Sequence, residues 1–412
     1  MRCVITGASF RAFALHSGPL AEHISDDVDF VGIFDTNRKR AELLKLRSGN
    51  SCAVYSDFDE MLQSEKPDYV FVYTIDRYHH EYIIKALKAG CNVVTTKPLT
   101  IDEDKCNAIL AAEKKSEGKV KVLFNGRFIT YTKRLRELIQ KKEIGDVISI
   151  NFEWLLDSVH GADYFRRWHR KKENSGGLIV HLGCHHFDFI NWILNEDPIV
   201  VHAFAERKIF GSGRSKHGTR CLGCEYSENC EYFFDITEGD NKSIYADCED
   251  VDGYFRDSCV FSEDIDIEDT MSLLVRYTNN IIMNYSLTAH SPYEGFRLAI
   301  NGTEGRIEDE DFHGRMGPFI GENKNGYHHN LKIYNRDDKE VRLQTPPAKD
   351  LHLGGDHLML QALFRPNPVS GRSDFADSRE GVMASLVGIA ANRSIKEGRP
   401  VYIRDLLDKQ YF

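Results

Sequence analysis

The stretch SGGLIVHLGCHHFDF (175–189) sets His181, His185, His186 and Asp188 close behind a glycine pair. On a helix, His181 and His185 are four apart and share a face, with Asp188 on roughly the same one. His186 points elsewhere, toward core or an interface. Imidazoles so placed can trade a proton near neutral pH, ligate a metal such as zinc, or be buried with their hydrogen bonds satisfied. A second stretch, VVTTKPLT (93–100), ends a β-branched run on Lys97 and a proline. The proline biases Lys97 away from helical backbone. Its ammonium would then project from the carboxyl end of a strand, where open α/β sheets bind ligands. The ordinary alternative is a surface lysine. A third stretch, DYFRRWHR (163–170), is dense in aromatic rings and donors. Aromatic faces stack on the apolar faces of sugars, and Arg or His meets hydroxyls. Tyr164, Trp168 and His169 are therefore expected pocket members, against an ordinary loop with Trp168 in the core. SPYEGF (291–296) and GGDH (354–357) are similar loop candidates.

Cysteines crowd one segment. RCLGCEYSENC supplies Cys221, Cys224 and Cys230, and Cys248 and Cys259 follow. Four thiolates suit tetrahedral zinc. The spacing predicts one structural zinc on Cys221, Cys224, Cys230 and Cys259, with Cys248 as alternate fourth ligand. An iron–sulfur cluster or unligated thiols are the other readings. The surrounding segment, about 211–262, is polar enough to need a staple.

The elements that must position these residues change rhythm near residue 125. Before it, short apolar runs read as buried parallel strands: CVIT (3–6), FVGIF (30–34), YVFVY (69–73), NVVTT (92–96) and KVLFN (121–125). Helical patterns separate them, such as HHEYIIKALKAG ending on Gly90 and DEDKCNAILAAEKKSEG ending on Gly118. That alternation predicts a doubly wound parallel sheet over 1–125. After it, period-two stretches dominate: DVISINFEWLLD, IVVHAFAERKIFG, MSLLVRYTNNIIMNYSLTAH, FRLAINGTEGRIEDE and KEVRLQT, with turns at Asn279-Asn280 and Asn301-Gly302. They predict a C-terminal α/β domain, 126–412, with a large, mostly antiparallel sheet and one free face. A helix from about 179 to 194 interrupts the strands. Another, DSREGVMASLVGIAANRSIKEGRP, is closed by Gly398 and Pro400.

The first strand runs into TGASFRA. A dinucleotide turn wants three glycines, and only Gly7 is one. Ser9 is small and could face a phosphate, Phe10 follows it, and Ala12 allows tight helix packing. The second strand ends in Asp35, placed to accept the ribose hydroxyls of NAD and to repel a 2′-phosphate. Arg38 and Lys39 could soften that preference toward NADP. A helix N-cap is the plain alternative for Asp35.

Together these segments resemble the Gfo/Idh/MocA oxidoreductases. Thr96-Lys97-Pro98 stands where that family has Glu-Lys-Pro. TIDRYHH is similar to its Thr-Pro-Asn-x-x-His segment, with Thr74 at the threonine and His79 at the histidine. GRF (126–128) resembles the segment after the fifth strand. Ser175-Gly176-Gly177 replaces a triple glycine, and His185 and Asp188 fall on the family's histidine and final aspartate. The resemblance spans nearly the whole chain. It implies an N-terminal Rossmann domain, and a dehydrogenase moving a hydride between NAD(P) and a secondary hydroxyl of a sugar, polyol or glycoside. Lys97 would polarise that hydroxyl and His185 accept its proton. Gly7, Ser9, Phe10, Asp35, Arg38, Thr74, His79 and Lys97 would meet the cofactor. Arg127, Tyr164, Trp168, His169, His181 and His185 would meet the substrate. Two departures bear on the proton path: Thr96 replaces an acid, and His181 replaces the aspartate four before the histidine. The rival reading is an NAD-dependent glycoside-cleaving enzyme that oxidises transiently and eliminates the aglycone.

Composition bounds the rest. A chain of 412 residues, 42% hydrophobic and 28% charged, suits two soluble domains. A net charge of −10 argues against nucleic acid and an anionic membrane surface. No apolar run is long enough to span a bilayer. The start, MRCVITGASF, is already strand-like, so a cytoplasmic location with reduced thiols is expected. The free sheet face predicts a homo-oligomer, a dimer or tetramer, with a small carbohydrate as the other partner.

Overall fold

The computed structural model describes residues 1–17, 21–22, 28–211, 216–313, 328–336, 340–343, 354–363 and 374–411. Six parallel strands form the first sheet: β1 (Arg2–Thr6), β2 (Asp29–Phe34), β3 (Ala53–Tyr55), β4 (Tyr69–Val72), β5 (Asn92–Thr96) and β6 (Val120–Leu123). Their order is β3-β2-β1-β4-β5-β6. Four of the apolar runs are the central strands, buried on both faces as a doubly wound sheet requires, and the fifth is the edge strand β6. The three-residue β3 at the edge has no such run, and sequence reading missed it. Strand order reverses between β1 and β4, so their carboxyl ends open the crevice where ligands sit in such sheets. The Gly7 turn, Thr74 and Lys97 all lie along that edge.

The second sheet has nine strands in the order β14-β13-β12-β11-β7-β10-β9-β8-β15. These are β7 (Val147–Asp157), β8 (Pro198–Glu206), β9 (Thr270–Tyr277), β10 (Ile282–Ser291), β11 (Glu294–Gly302), β12 (Gly305–His313), β13 (His328–Asn335), β14 (Glu340–Leu343) and β15 (Val401–Tyr402). All pairings are antiparallel except β7 with β10. Along β9, Met271, Leu273, Val275 and Tyr277 face the core and Ser272, Leu274 and Arg276 face out. Asn279 and Asn280 turn the β9–β10 hairpin with φ of 57° and 60°, the left-handed pair that a tight hairpin favours. The turn expected at Asn301-Gly302 falls instead on Thr303-Glu304, between β11 and β12. Gly302 serves close approach: a Cβ there would stand 2.1 Å from the Ile144 carbonyl oxygen.

The helix expected from 179 to 194 is broken. Leu178–His181 forms one turn and Gly183–Leu194 a separate helix. The long helix Ser378–Glu397 opens with a capping box between Asp377 and Glu380 and stops at Gly398, φ 66°. Two buried clusters tie the halves. Asp356 accepts both ends of Arg11, at 2.7 and 2.5 Å, and the Asn125 amide at 3.0 Å. Val122 donates its N–H to the Ala376 carbonyl at 2.9 Å. Among the described residues no helix is long and apolar enough to cross a membrane.

The cysteine-rich segment joins β8 to β9. Asp269 closes its base by accepting the N–H groups of Lys208, Ile209 and Phe210. Fully buried Asp257 accepts from Leu222 N–H at 2.8 Å and pairs with Arg220, which also grips Glu249. The Arg166 and Arg256 guanidinium groups lie 5.0 and 4.9 Å from the centre of the Phe234 ring. These contacts staple the segment, and the zinc expectation finds no support. Cys221 turns its thiol to the Arg166 guanidinium, 3.6 Å away. Burial pushes the Cys259 thiol up, and neighbouring Cys221, Cys230 and Cys224 add to that. Yet among the described residues no three His, Cys, Asp or Glu side chains form a group that could hold a metal ion. Cys248 lies away from them, its carbonyl accepting from Asn37 Nδ2 at 2.8 Å.

Three buried histidines make stability depend on pH. His16 meets the Tyr73 hydroxyl, His79 two backbone carbonyls, and His186 the Tyr285 hydroxyl. Burial lowers their pKa values to about 3, 4 and 3. The unfolded chain takes up those protons near pH ~6.5, so below that it binds more protons than the folded chain. Their contribution is fully present above that pH and is lost as pH falls toward about 4, each ring adding a slope of up to about 1.4 kcal/mol per pH unit. The urea midpoint is expected to drop between about pH 7 and about pH 5. A flat midpoint across that range would show that the rings charge freely in the folded state.

Candidate active site

The Gly7 turn follows β1 directly. Gly7 has φ 92°, and a Cβ there would meet the Tyr73 carbonyl carbon at 2.6 Å and the Thr74 nitrogen at 2.7 Å. Only glycine permits this approach of the turn to the end of β4. Ser9 caps the next helix in extended conformation without spending its hydroxyl on a cap bond. Phe10 stands exposed beside it. Asp35, at the end of β2, accepts the Ala8 and Asn37 N–H groups, each at 2.6 Å. Burial pushes its pKa up, opposed by Arg40 and by those two donors. Each carboxylate oxygen keeps a further lone pair for a hydroxyl. This cradle fits a dinucleotide with a free ribose. Arg38 is mostly exposed and meets Ser56 and Glu42. Thr74 lies against Gly7, half-buried. His79 is corrected as a direct cofactor contact: it is wholly buried, with Nδ1 2.9 Å from the Pro98 carbonyl and Nε2 3.0 Å from that of Thr74. A neutral ring can donate to only one of them. His79 holds the two loops beside the crevice.

Lys97, one residue past β5, sits at the centre. Its Nζ donates to the His181 carbonyl at 2.8 Å and stands 3.1 Å from His181 Nε2. The broken helix makes this possible. His185 N–H bonds the Leu182 carbonyl, three residues back, at 3.0 Å. The His181 carbonyl, which an unbroken helix would have given to His185, is left facing the lysine. On its other side, His181 Nδ1 lies 2.6 Å from Asp76 Oδ2. Asp76 and His181 are buried, and Lys97 is half-buried with one side open. Burial drives His181 well below its ordinary pKa, and Lys97 adds to that. The ring is therefore neutral: Nδ1–H donates to Asp76, and Nε2 accepts from Lys97. Burial lowers the Lys97 pKa as well, opposed by Cys184 and Asp76. Burial raises Asp76 well above a normal carboxylate, opposed by Lys97 and Arg167. Two of the three ammonium protons have partners here, which leaves one for a substrate atom.

Sequence reading missed Asp76. It occupies the asparagine position of the Thr-x-Asn-x-x-His segment, and it supplies from another loop the acid that position 181 lacks. It also missed Arg167. That guanidinium is held by Asp163 at 2.9 Å, lies 5.2 Å from the Tyr164 ring, and acts electrostatically on Asp76, Lys97, His169 and His181.

The structure gathers most of the expected substrate residues around His181. Tyr164 and His169 lie 5.7 and 4.2 Å from its ring, and Trp168 stands perpendicular at 5.8 Å. Trp168 stacks on His169 at 3.6 Å and is itself half-buried. His185 is on the first turn of its helix, half-buried, its ring 5.9 Å from that of Phe124. Arg127 is corrected. It is 2% exposed, and Asp188 takes both its Nε and Nη2, at 2.8 and 2.6 Å, while Glu380 takes Nη1. Asp188 is thereby spent as well and cannot join His181 and His185 in a metal site. His186 is core, tilted against Trp154 at 4.1 Å. Of the two other loops, Glu294 pairs with His160 at 3.0 Å, and Asp356 belongs to the contact between the halves.

Comparison with known proteins bears on the family and the fold. Residues 1–124 match the Gfo/Idh/MocA oxidoreductase family's NAD-binding Rossmann fold, and 136–403 its C-terminal alpha/beta domain. The Bacillus subtilis (strain 168) protein YteT is 34% identical over 99% of both chains. The D-glucoside 3-dehydrogenase of Escherichia coli (strain K12) is 26% identical over 51% of this chain and 61% of its own. An Agrobacterium radiobacter oxidoreductase solved with NAD+, L-tartaric acid and magnesium superposes with a TM-score of 0.68 at 15% identity, covering 99% of each chain.

Replacing Asp76 tests the pairing. Asp76→Ala leaves a buried imidazole N–H without its acceptor and is expected to cost about 1–3 kcal/mol of stability in urea unfolding. Nitrogen NMR should show His181 as the Nδ1–H tautomer in the native chain. An Nε2–H tautomer, or no loss of stability, would refute the arrangement.

Proposed function

The chain belongs to the Gfo/Idh/MocA oxidoreductase family, and from that premise we propose that it moves a hydride between NAD and a secondary hydroxyl of a sugar, polyol or glycoside. The observation that carries this reading is the Asp76–His181–Lys97 chain at the carboxyl end of the Rossmann sheet. The nicotinamide supplies the hydride acceptor when bound. The remaining work falls to this chain's side chains. Lys97 Nζ directs its unpaired proton at the substrate oxygen and stabilises the alkoxide as the O–H bond breaks. His185 takes that proton. His181 and Asp76 are positioning residues: they fix Lys97 Nζ and, by offering it a neutral Nε2, avoid a second cation beside it.

A carbohydrate suits the walls. Trp168, half-buried, offers ring surface, backed by the buried rings of Tyr164 and His169. The name of the E. coli relative, a D-glucoside 3-dehydrogenase, supports the same class. NAD is preferred over NADP because Asp35 meets the 2′ position. The free sheet face carries Phe204, Leu274 and Ile282 exposed among Ser272, Arg276 and Asn284. We take it as the seam of a homo-oligomer, a dimer or tetramer, since exposed apolar sheet is otherwise an association hazard. Sedimentation at micromolar concentration is expected to show that oligomer, and Phe204→Glu to dissociate it. A native chain that sediments as a monomer would refute the seam.

Lys97→Met is expected to lower hydride transfer by about 10³-fold or more while NADH still binds, as loss of an electrostatic group at a developing oxyanion does. NADH formation measured against a panel of sugars and glycosides reads both the variant and the substrate. Near-native turnover in Lys97→Met would overturn the assignment. Glycoside cleavage without net NADH formation would replace it with the oxidation–elimination reading.

A further inference from the structure

The cysteine-rich segment reaches across to the Rossmann domain and grips the helix that follows Asp35. That helix, Arg38–Ser48, opens with three consecutive basic residues. Lys39 Nζ lies 2.7 Å from both carboxylate oxygens of Asp250. Arg40 is ion-paired with Asp252 and stands 3.8 Å from Asp35. Arg47 binds Asp240 at 2.7 Å and the Ser243 hydroxyl at 2.6 Å. Ile244 enters the same buried cluster as Phe13, Ala41 and Leu44. The grip is thus apolar at one point and ionic along the rest.

These contacts bear on the cofactor. An arginine near the acid that ends β2 is what accommodates a 2′-phosphate in NADP-binding relatives of this fold. Arg40 is such an arginine, and it is already taken. Its side chain is 12% exposed and that of Asp252 23%, so the pair is shielded from salt far better than a surface pair. The Lys39–Asp250 pair is open to solvent and matters less.

We propose that Asp252, carried by the insertion, is a cofactor-specificity determinant: it holds Arg40 and so keeps a 2′-phosphate from binding beside Asp35. A phosphate entering there meets carboxylates, and must displace one of them to reach the guanidinium. Specificity of the nucleotide domain is therefore set partly from the substrate half of the chain. This rests on the dehydrogenase reading above, since it presumes a nicotinamide dinucleotide in the crevice.

Fluorescence titration of the full chain with NADH and with NADPH tests it without measuring turnover. The native chain is expected to favour NADH. Asp252→Asn should tighten NADPH by roughly 10- to 100-fold relative to NADH, the worth of one or two charge-assisted hydrogen bonds. Adding Arg40→Gln to that variant should abolish the gain. Asp240→Asn, which loosens the grip far from Asp35, should shift both nucleotides alike. An equal shift of both nucleotides in Asp252→Asn, or a gain that survives Arg40→Gln, overturns the proposal. Should Asp252→Asn fail to fold, Arg40→Gln alone decides. No change in NADPH binding upholds a guanidinium already occupied, and selective weakening of NADPH overturns it. A native chain preferring NADPH sinks the proposal but leaves the dehydrogenase reading standing. A native chain that binds neither nucleotide sinks both.

Discussion

Holding a lysine ammonium away from bulk water, within reach of a substrate, is the constraint on which this active site depends. A charge so placed must find partners or lose its proton. Here the partners are the two ends of one residue. The His181 carbonyl is freed because the helix is interrupted at Leu182. The His181 ring is kept neutral by burial and oriented by Asp76. Removing the interruption would return the carbonyl to His185 and leave Lys97 one acceptor short. Gly183, the first residue after the break, packs closely, since a Cβ there would press on the Phe187 ring at 2.9 Å. The local break and the electrostatics are one feature seen at two scales.

The frame around that feature is stiff where it must be. Arg127, Asp188 and Glu380 form a buried network joining the residues after β6, the His185 helix and the C-terminal helix. The desolvation of such a network is costly, and its stabilising worth is small beside its geometric one. It fixes the angle at which the helix bearing His185 meets the Rossmann sheet. Arg11, Asp356 and Asn125 do the same on the nucleotide side. Both networks use arginine, whose planar fork fixes orientation in a way lysine does not.

These networks also show why the sequence was legible only in part. Strand and helix periods reveal the Rossmann sheet, the antiparallel sheet and the Asn279-Asn280 hairpin, because burial on one or both faces writes itself into local spacing. Lys97 and His185 stand out through their motifs, and the structure places both near His181. Arg127 was misread because an arginine sealed in an ion pair and one lining a pocket look alike along the chain. His79 was misread for a similar reason. Asp76 was missed because its partner lies 105 residues away. A signal did exist: an asparagine position holding aspartate and an aspartate position holding histidine are two departures of opposite sign. Read as a pair, they describe an acid moved from one loop to another. The cysteines show the limit of spacing as evidence. Knuckle-like intervals survive in a segment that is ordered by Asp257, Arg220, Asp269 and aromatic–guanidinium contacts.

The relocation of that acid has a consequence for the proton path. A carboxylate beside the lysine would pair with it directly and raise its pKa. With an imidazole between them, Asp76 acts on Lys97 at greater distance, and burial lowers the lysine against the pull of Cys184 and Asp76. The ammonium is thus a better proton donor and its amine form a more accessible base than the directly paired arrangement would allow. Arg167 pushes the same way, as a cation near Lys97 whose carboxylate partner Asp163 is shared with Arg166 and Arg256. The site is therefore biased toward stabilising negative charge on a bound oxygen, which is what develops on a substrate hydroxyl as its proton leaves, before the hydrogen on its carbon goes as hydride.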